Sequence, residues 1–284
     1  MLCSLLPVLL PVPVFCLGAS AGVPLAVMSF NVRYATAQDG DNSWPQRRGV
    51  LVNMVRSRAP DIVGAQECLL FQAQHLAKHM PEYHWIGMGR EADGTGEMAA
   101  VFYKHKVLSP IRTGNFWLSE TPDVPGSQSW ATHCTRMVTW AAFRHVESGR
   151  RFFFFNTHFD HGSAEARDKS AGLLLERIAE LAGDDPVIVT GDFNAPAEAG
   201  RPWAVLTQGD LSDSWVVAGE TAGPEVTYHG WAPPQGDKKE RIDWILISQG
   251  VEAERVETIT YSENGRYPSD HFPVLAQVLL KSPA

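Results

Sequence analysis

Several apolar runs in this chain end in a carboxylate, a carboxamide or an imidazole, and that habit narrows the folds open to it. The plainest case is "DDPVIVTGDFNA" (184–195), where Val187-Ile188-Val189 leads through Thr190-Gly191 into Asp192, Phe193 and Asn194. A short unbroken apolar run between turn residues reads as a strand buried on both faces. Such a strand cannot end in an unpartnered charge, because desolvation costs several kcal/mol or drives the group neutral. Asp192 and Asn194 lie two apart, which points both to the same side of the strand end while Phe193 packs the other way. Gly191 is expected to let the backbone turn there.

The pattern recurs at Asn31 in "SFNV", at Glu67 in "GAQE", and at Asn156, His158, Asp160 and His161 in "NTHFDH". It recurs again at Asp243 in "RIDW" and at Asp270 and His271 in "SDHFP". Any one of these can be a helix or turn cap. Five acids and three histidines in the same setting point instead to a common strand edge, a cleft lined with oxygen and imidazole.

Strands and helices alternate along the chain. Apolar residues at helical spacing over 44–60 stop at Pro60, 69–80 reads as a second helix, and 163–183 as a third, capped by Ser163 and ended by Gly183. Strands are expected at 24–32, 61–67, 136–146 and 150–159, the last two joined as a hairpin at Ser148-Gly149. Further strands are "HWIGMG", "MAAVFYK", "PVIVTGDFN", "ERIDWILIS" and "FPVLAQVLL". Hairpins together with crossover helices imply mixed sheets covered by helices. The order strand–helix–strand–acid occurs twice, with 36 positions from Asn31 to Glu67 and again from Asn156 to Asp192. The repeat suggests two similar half-sheets facing each other. No linker divides 24–280, so residues 22–284 read as a single domain.

Net charge is −8, and no Lys/Arg block exceeds "DKKER" at 237–241, which argues against a stable nucleic-acid complex. Residues 1–21 carry no charged side chain and end in Ala19-Ser20-Ala21, the pattern of a signal peptide, so the protein is expected to be secreted or periplasmic. Pro7, Pro11 and Pro13 and the short apolar run disfavour a retained membrane span. Cys68 and Cys134 would remain in the mature chain, as one bridge or as two buried thiols.

Carboxylate and carboxamide ligands suit a hard cation such as Mg²⁺, Mn²⁺ or Ca²⁺. There is no HExxH or CxxC, so zinc is disfavoured. No G-x-S-x-G elbow, Walker loop or G-x-G-x-x-G follows a strand, which removes the serine-hydrolase, triphosphatase and dinucleotide readings.

"SFNVR", "GAQE", "NTHFDH", "GDFNA", "RIDWIL" and "SDHFPV", in that order across about 25–280, resemble the endonuclease/exonuclease/phosphatase (deoxyribonuclease-I-like) superfamily. "GNFWLSETP" and "TRMVTWAAF" look like its secreted bacterial branch. The resemblance implies a four-layer α/β sandwich, with two mixed, mainly antiparallel sheets packed face to face and helices outside. It implies Glu67 as the main ligand of Mg²⁺ (or Mn²⁺), with Asn31 and Asp270 completing the metal side, partly through water. Asp192 would orient and deprotonate the attacking water, helped by Asn194. His271, held in its tautomer by Asp243, would contact the scissile phosphate. His158 would donate to a phosphate oxygen or the leaving group, and Arg136 would clamp the phosphate.

The implied activity is that of a divalent-metal-dependent phosphoesterase hydrolysing a phosphodiester or phosphomonoester by in-line attack of activated water. Its substrate would be a small molecule or a nucleic acid, and the chain would act as a monomer. A secreted nuclease acting on DNA or RNA, a sphingomyelinase-like phospholipase and a phosphatase of sugar phosphates or other small monoesters all stand within it. The inositol-polyphosphate and deadenylase branches are demoted, because "VTGDFNAP", "ERIDWILIS" and "NTHFDHG" depart from their patterns. A non-catalytic binding module would need lost catalytic residues, and none is lost. "FFFF" at 152–155 reads as a buried strand, Trp117, Trp231 and His229 are candidates for the cleft rim, and Arg167 either salt-bridges a site acid or is solvated.

Overall fold

A computed structural model describes residues 22–232 and 240–282. The expected leader at 1–21, and residues 233–239 of the loop that follows Trp231, lie outside the described residues. In chain order the strands are β1 (Val23–Asn31), β2 (Ile62–Cys68), β3 (Tyr83–Ile86), β4 (Met98–Lys104), β5 (Leu108–Trp117), β6 (Met137–His145) and β7 (Arg151–His158). They continue as β8 (Val187–Asp192), β9 (Leu211–Asp213), β10 (Glu220–Ala222), β11 (Asp243–Ser248), β12 (Val251–Thr258) and β13 (Val274–Leu280). The helices are α1 (Trp44–Arg58), α2 (Leu70–His79), α3 (Ala164–Ala182), α4 (Arg201–Thr207) and the single turn α5 (Ser214–Val217).

The strands form two mixed, mainly antiparallel sheets, ordered β10-β12-β13-β1-β2-β4-β3 and β5-β6-β7-β8-β11-β9. Three apolar layers separate four structural ones. Val27, Ile62, Phe152, Phe154, Ile245 and Ala276 fill the space between the sheets. Phe30, Leu51, Val55, Leu76 and Phe102 seal α1 and α2 onto the first sheet. Phe153, Phe155, Ala171, Leu174, Ile178 and Leu206 seal α3 and α4 onto the second. The four-layer sandwich expected from the sequence is therefore present.

The "FFFF" run shows how sequence period becomes layer. Phe152 and Phe154 face the opposite sheet, and Phe153 and Phe155 face the helices, because successive strand residues point to opposite faces. All four are buried, each contributing about 2 kcal/mol of transfer free energy. In α3 the apolar residues at 171, 174, 178 and 182 make one inward stripe. The Ser163 side chain caps the start by accepting from the Ala166 N–H, and Gly183 in the left-handed region ends it, as the sequence indicated.

Each sheet holds one strand–helix–strand unit with parallel strands, β1-α1-β2 and β7-α3-β8, so the internal echo is real in topology. Between them the sheets carry a buried polar brace. Asn156 donates to the Ala65 and Ala100 carbonyls (3.1 and 2.9 Å) and accepts from Gln66 Nε2 and Thr190 Oγ1 (2.7 and 3.1 Å). Gly64 makes room for it, since a Cβ there would lie 2.0 Å from Thr190 Oγ1 and 2.6 Å from Asn156 Oδ1.

One expectation needs correction, and two long strands lie outside those expected. Gly191 does not turn the chain; it lies inside β8, where a Cβ would come within 2.9 Å of Thr157 Cγ2 and 3.0 Å of the Thr157 carbonyl. Its lack of a side chain serves close approach between strands. Strands β5 and β12 do not stand out in the sequence. β5 is an edge strand, largely exposed and bulged between Pro110 and Arg112, and β12 is bulged between Ala253 and Arg255, which breaks the two-residue period.

Candidate active site

The chain ends of the central strands of both sheets meet along one edge. Asn31 closes β1, Glu67 lies near the end of β2, and His158 and Asp192, paired in register, close β7 and β8. Asp243 opens β11 opposite Asp192, and Asp270 and His271 precede β13. Two devices aim the acids. The β2–β4 ladder is bulged between Ala65 and Cys68, and Glu67 there takes a positive φ of 57°. Asn194 also has a positive φ, 48°, so it follows Asp192 to the same side by a left-handed step and not by strand alternation. Phe193 does pack the other way, stacked on Trp244 at 4.2 Å.

Asn31 sits at the centre. Its amide nitrogen donates to Glu67 Oε1 (3.0 Å) and Asp192 Oδ2 (2.9 Å), and its Oδ1 accepts from the Arg33 N–H (2.9 Å). The Tyr34 N–H donates to Glu67 Oε2 (3.0 Å). In this arrangement Asn31 fixes the spacing of two acids, and its oxygen is turned to backbone. On the other side, His271 Nδ1 lies 2.9 Å from Asp243 Oδ2 and its Nε2 3.8 Å from Asp192 Oδ2. His158 Nε2 lies 3.4 Å from the same Asp192 oxygen and 3.0 Å from Asn194 Nδ2. The Asn194 amide also donates to the Phe159 carbonyl (3.1 Å), while its backbone N–H donates to Asp192 Oδ1 (3.0 Å).

Burial, and then the Asp243 charge, push the Asp192 carboxyl up to about 7 against the pull of His271 and the bonds from Asn31 and Asn194. Burial opposes charging His271, yet Asp243, Asp192 and Asp270 outweigh it and raise the ring to about 10. His158 goes the other way: burial, then Arg136 and His271, hold it well below the usual imidazole range, so it is neutral at pH 7. Burial raises Asp270 despite His271 and Arg33.

Glu67, His158, Asp192, Asn194, Asp270 and His271 line a cleft of about 500 Å³ together with Arg33, Tyr34, Arg90, Glu97, Cys134, Arg136, His161 and Tyr228, while Asn31 and Asp243 are buried behind them. Arg33 and Tyr34 come two and three residues after Asn31, so the motif "SFNVR" could have flagged them. Arg90 and Glu97 come from the segment between β3 and β4, and no sequence pattern marks them.

Other expected residues fall elsewhere. Asn156 is the brace between the sheets and does not line the cleft. Asp160 is a loop tie: its oxygens accept from Thr132 Oγ1 and the His133, Gly162 and Ser163 N–H groups, which hold it at about 2 although burial alone would raise it. Trp117 is buried with its indole N–H on the Arg90 carbonyl, so it is not a rim residue. His229 stacks on Phe272 at 4.1 Å, while Trp231 stands 5.6 Å from the Arg47 guanidinium. Arg167 donates to the Asp160 carbonyl. Cys68 and Cys134 are both free thiols, the first buried and the second half-buried.

The donor set can hold a divalent ion. Ligand atoms of Glu67, His158 and Asp192 lie within 4.8 Å of one another, and so do those of Asp192, Asp243 and His271. Among the described residues no helix is long and apolar enough to cross a membrane.

Residues 28–271 match the Endonuclease/Exonuclease/phosphatase family. The structure is similar to a Bacteroides vulgatus protein of that family (35% identity, 91% of this chain and 100% of that one, TM-score 0.87). It is similar to a mannosyl-6-phosphatase of Bacteroides thetaiotaomicron (35% identity, 90% and 99% covered, TM-score 0.85). An uncharacterized protein of Acanthamoeba polyphaga mimivirus is 29% identical over 161 residues, covering 53% of this chain. That match spans 59% of the viral protein's length.

Proposed function

Because the chain belongs to the Endonuclease/Exonuclease/phosphatase family and is thereby a hydrolase of phosphate esters, we propose that it is a divalent-metal-dependent phosphatase of small phosphorylated sugars. The observation that carries the reading is the Asn31-centred constellation. One amide nitrogen holds a cleft-facing Glu67 and a buried Asp192 at 3.0 and 2.9 Å, with His271 and His158 on the flank of Asp192.

The oxygen donors fit a hard cation, Mg²⁺ or Mn²⁺, which Glu67 would hold with Asp270 beside it, while Asn31 sets the spacing of Glu67 and Asp192. When bound, that ion supplies charge neutralisation for the phosphoryl oxygens and the leaving oxygen. The residues of the chain account for the rest. Asp192, pushed up to about 7, is basic enough to take a proton from water near neutrality. His158, neutral through burial, adds no positive charge that would weaken that base. Asn194 keeps its amide on His158 and its N–H on Asp192, so the base does not rotate away. His271, charged and oriented by Asp243, presents a preorganised donor to a phosphate oxygen.

A sugar phosphate as substrate is supported by the 35%-identical mannosyl-6-phosphatase, by a cleft sized for a small molecule, and by the lack of a basic stripe for a polynucleotide. The test is an assay of purified protein with Mg²⁺ or Mn²⁺ against hexose 6-phosphates, sphingomyelin, RNA and plasmid DNA. Turnover of the sugar phosphates, lost in EDTA and in Asp192→Asn, is expected. Turnover that survives either treatment would sink the mechanism, and exclusive cleavage of DNA or RNA would replace the substrate reading with a nuclease.

A further inference from the structure

The cations of the cleft are not equally matched by acids. Arg33 is held by Asp39 through two bonds (3.1 and 2.9 Å), with Asp270 at 3.6 Å. Arg90 pairs with Glu97 at 2.9 Å and Glu91 at 3.4 Å, and His271 pairs with Asp243 at 2.9 Å. Arg136 differs. Its side chain is 5% exposed, and its Nε has no hydrogen-bond partner. Among the described residues its one side-chain hydrogen bond runs from Nη2 to His161 Nδ1 (3.0 Å). The carboxylate within reach is Asp160, 3.9 Å from Nε, and four other donors already occupy both its oxygens.

A guanidinium has five N–H donors, and leaving it desolvated without partners is costly. This one is kept so beside Glu67 and His158, on the wall of the cleft. The neutral His161 nitrogen fixes the direction of the fork without cancelling its charge. Such a site is prepared for an anion that arrives with the substrate. Near neutral pH a phosphomonoester brings two negative charges and a phosphodiester one. A cation whose Nε is still unpaired therefore acts on the difference between them.

We propose that Arg136 is a specificity-determining residue that favours dianionic phosphomonoesters over monoanionic diesters, with His161 as its positioning residue. The inference rests on the phosphoesterase reading and deepens it. An arginine–phosphate contact is charge-assisted and bidentate, so its loss is expected to fall chiefly on the monoester.

The experiment compares kcat/KM of the full chain with Mg²⁺ on p-nitrophenyl phosphate and on bis-p-nitrophenyl phosphate, for wild type, Arg136→Gln, Arg136→Lys and His161→Asn. In Arg136→Gln the monoester value is expected to fall about 30- to 100-fold and the diester value less than about 5-fold, the scale of one hydrogen bond to a charged group. Arg136→Lys restores charge without the fork and should fall between. His161→Asn changes an exposed residue, so it reads out the same selective loss, smaller in size, even where an Arg136 variant fails to fold. Parallel losses on both esters, no loss on either, or a wild type active only on the diester would overturn the role of Arg136 and leave the phosphoesterase reading standing. A wild type inactive on every phosphate ester would overturn both.

Discussion

Asn31 and Asn156 occupy the first strands of the two strand–helix–strand units, each is fully buried, and each precedes an acid by 36 positions, yet they do different work. Asn31 is the last residue of β1, and its amide nitrogen reaches two carboxylates of the cleft. Asn156 lies two residues inside β7, which ends at His158, so it points across to the opposite sheet and spends its bonds on Ala65, Ala100, Gln66 and Thr190. Two more strand residues convert a site organiser into a brace and bring an imidazole to the edge in its place. A motif therefore fixes residue types, while the length of the strand beyond it decides which of them meets the substrate.

Removing the base that only the second unit carries should produce the largest effect. Asp192→Asn is expected to lower kcat about 1,000-fold in a steady-state assay, the middle of the range for a general base, with little change in KM. Asn156→Ala should act on the fold: it orphans several buried donors and acceptors, and urea unfolding should show a loss of about 3 kcal/mol, roughly 100-fold in the folding equilibrium. Its folded fraction, assayed in the cold, should keep its activity within about 3-fold if Asn156 is only a brace. An intact fold with lost activity would break the comparison. Asn31→Ala should show the reverse balance, with kcat/KM down about 30-fold through loss of a hydrogen bond to charged groups and only a small change in the urea midpoint. A stability loss as large as that of Asn156→Ala would show both asparagines to be braces.

A further contrast is a pH dependence of stability. The Asp192 carboxyl is raised to about 7 when folded, so it favours the fold only while protonated. That contribution is full below about 4, the unfolded carboxyl value, and is lost as pH rises through about 7. In EDTA, Asp192→Asn should therefore gain on wild type across that window, at a slope of about 1 kcal/mol per pH unit. Parallel stability profiles would remove the case for a strained base.

Much of the site was legible in the sequence because chemistry left residues where packing alone would not. Glu67, His158, Asp192, Asn194, Asp270 and His271 line the same cleft, with Asn31 behind Glu67 and Asp192 and Asp243 behind His271. Asp160 was not separable from them, since a loop tie and a site acid look alike until partners are known. Trp117 was misplaced for a similar reason, because it closes β5 with its indole N–H taken up by the Arg90 carbonyl. The cations Arg33 and Arg90 escaped notice because arginines are common on surfaces and only folding turns these inward. Strands β5 and β12 were hidden by bulges that shift the alternation by one.

The sequence by itself determined the layers of this protein and the identity of the reactive groups. Apolar period sets which face of each element is buried, and a carboxylate at the end of a buried strand has to find partners. Tertiary structure alone decided which oxygen meets which nitrogen, that Asn31 stands between two acids while Asn156 does not, and that Arg136 keeps an unpaired Nε on the cleft wall. Those outcomes depend on strand length, a bulge and residues brought together from opposite sheets, and distances of 3 to 4 Å between them have no signature along the chain.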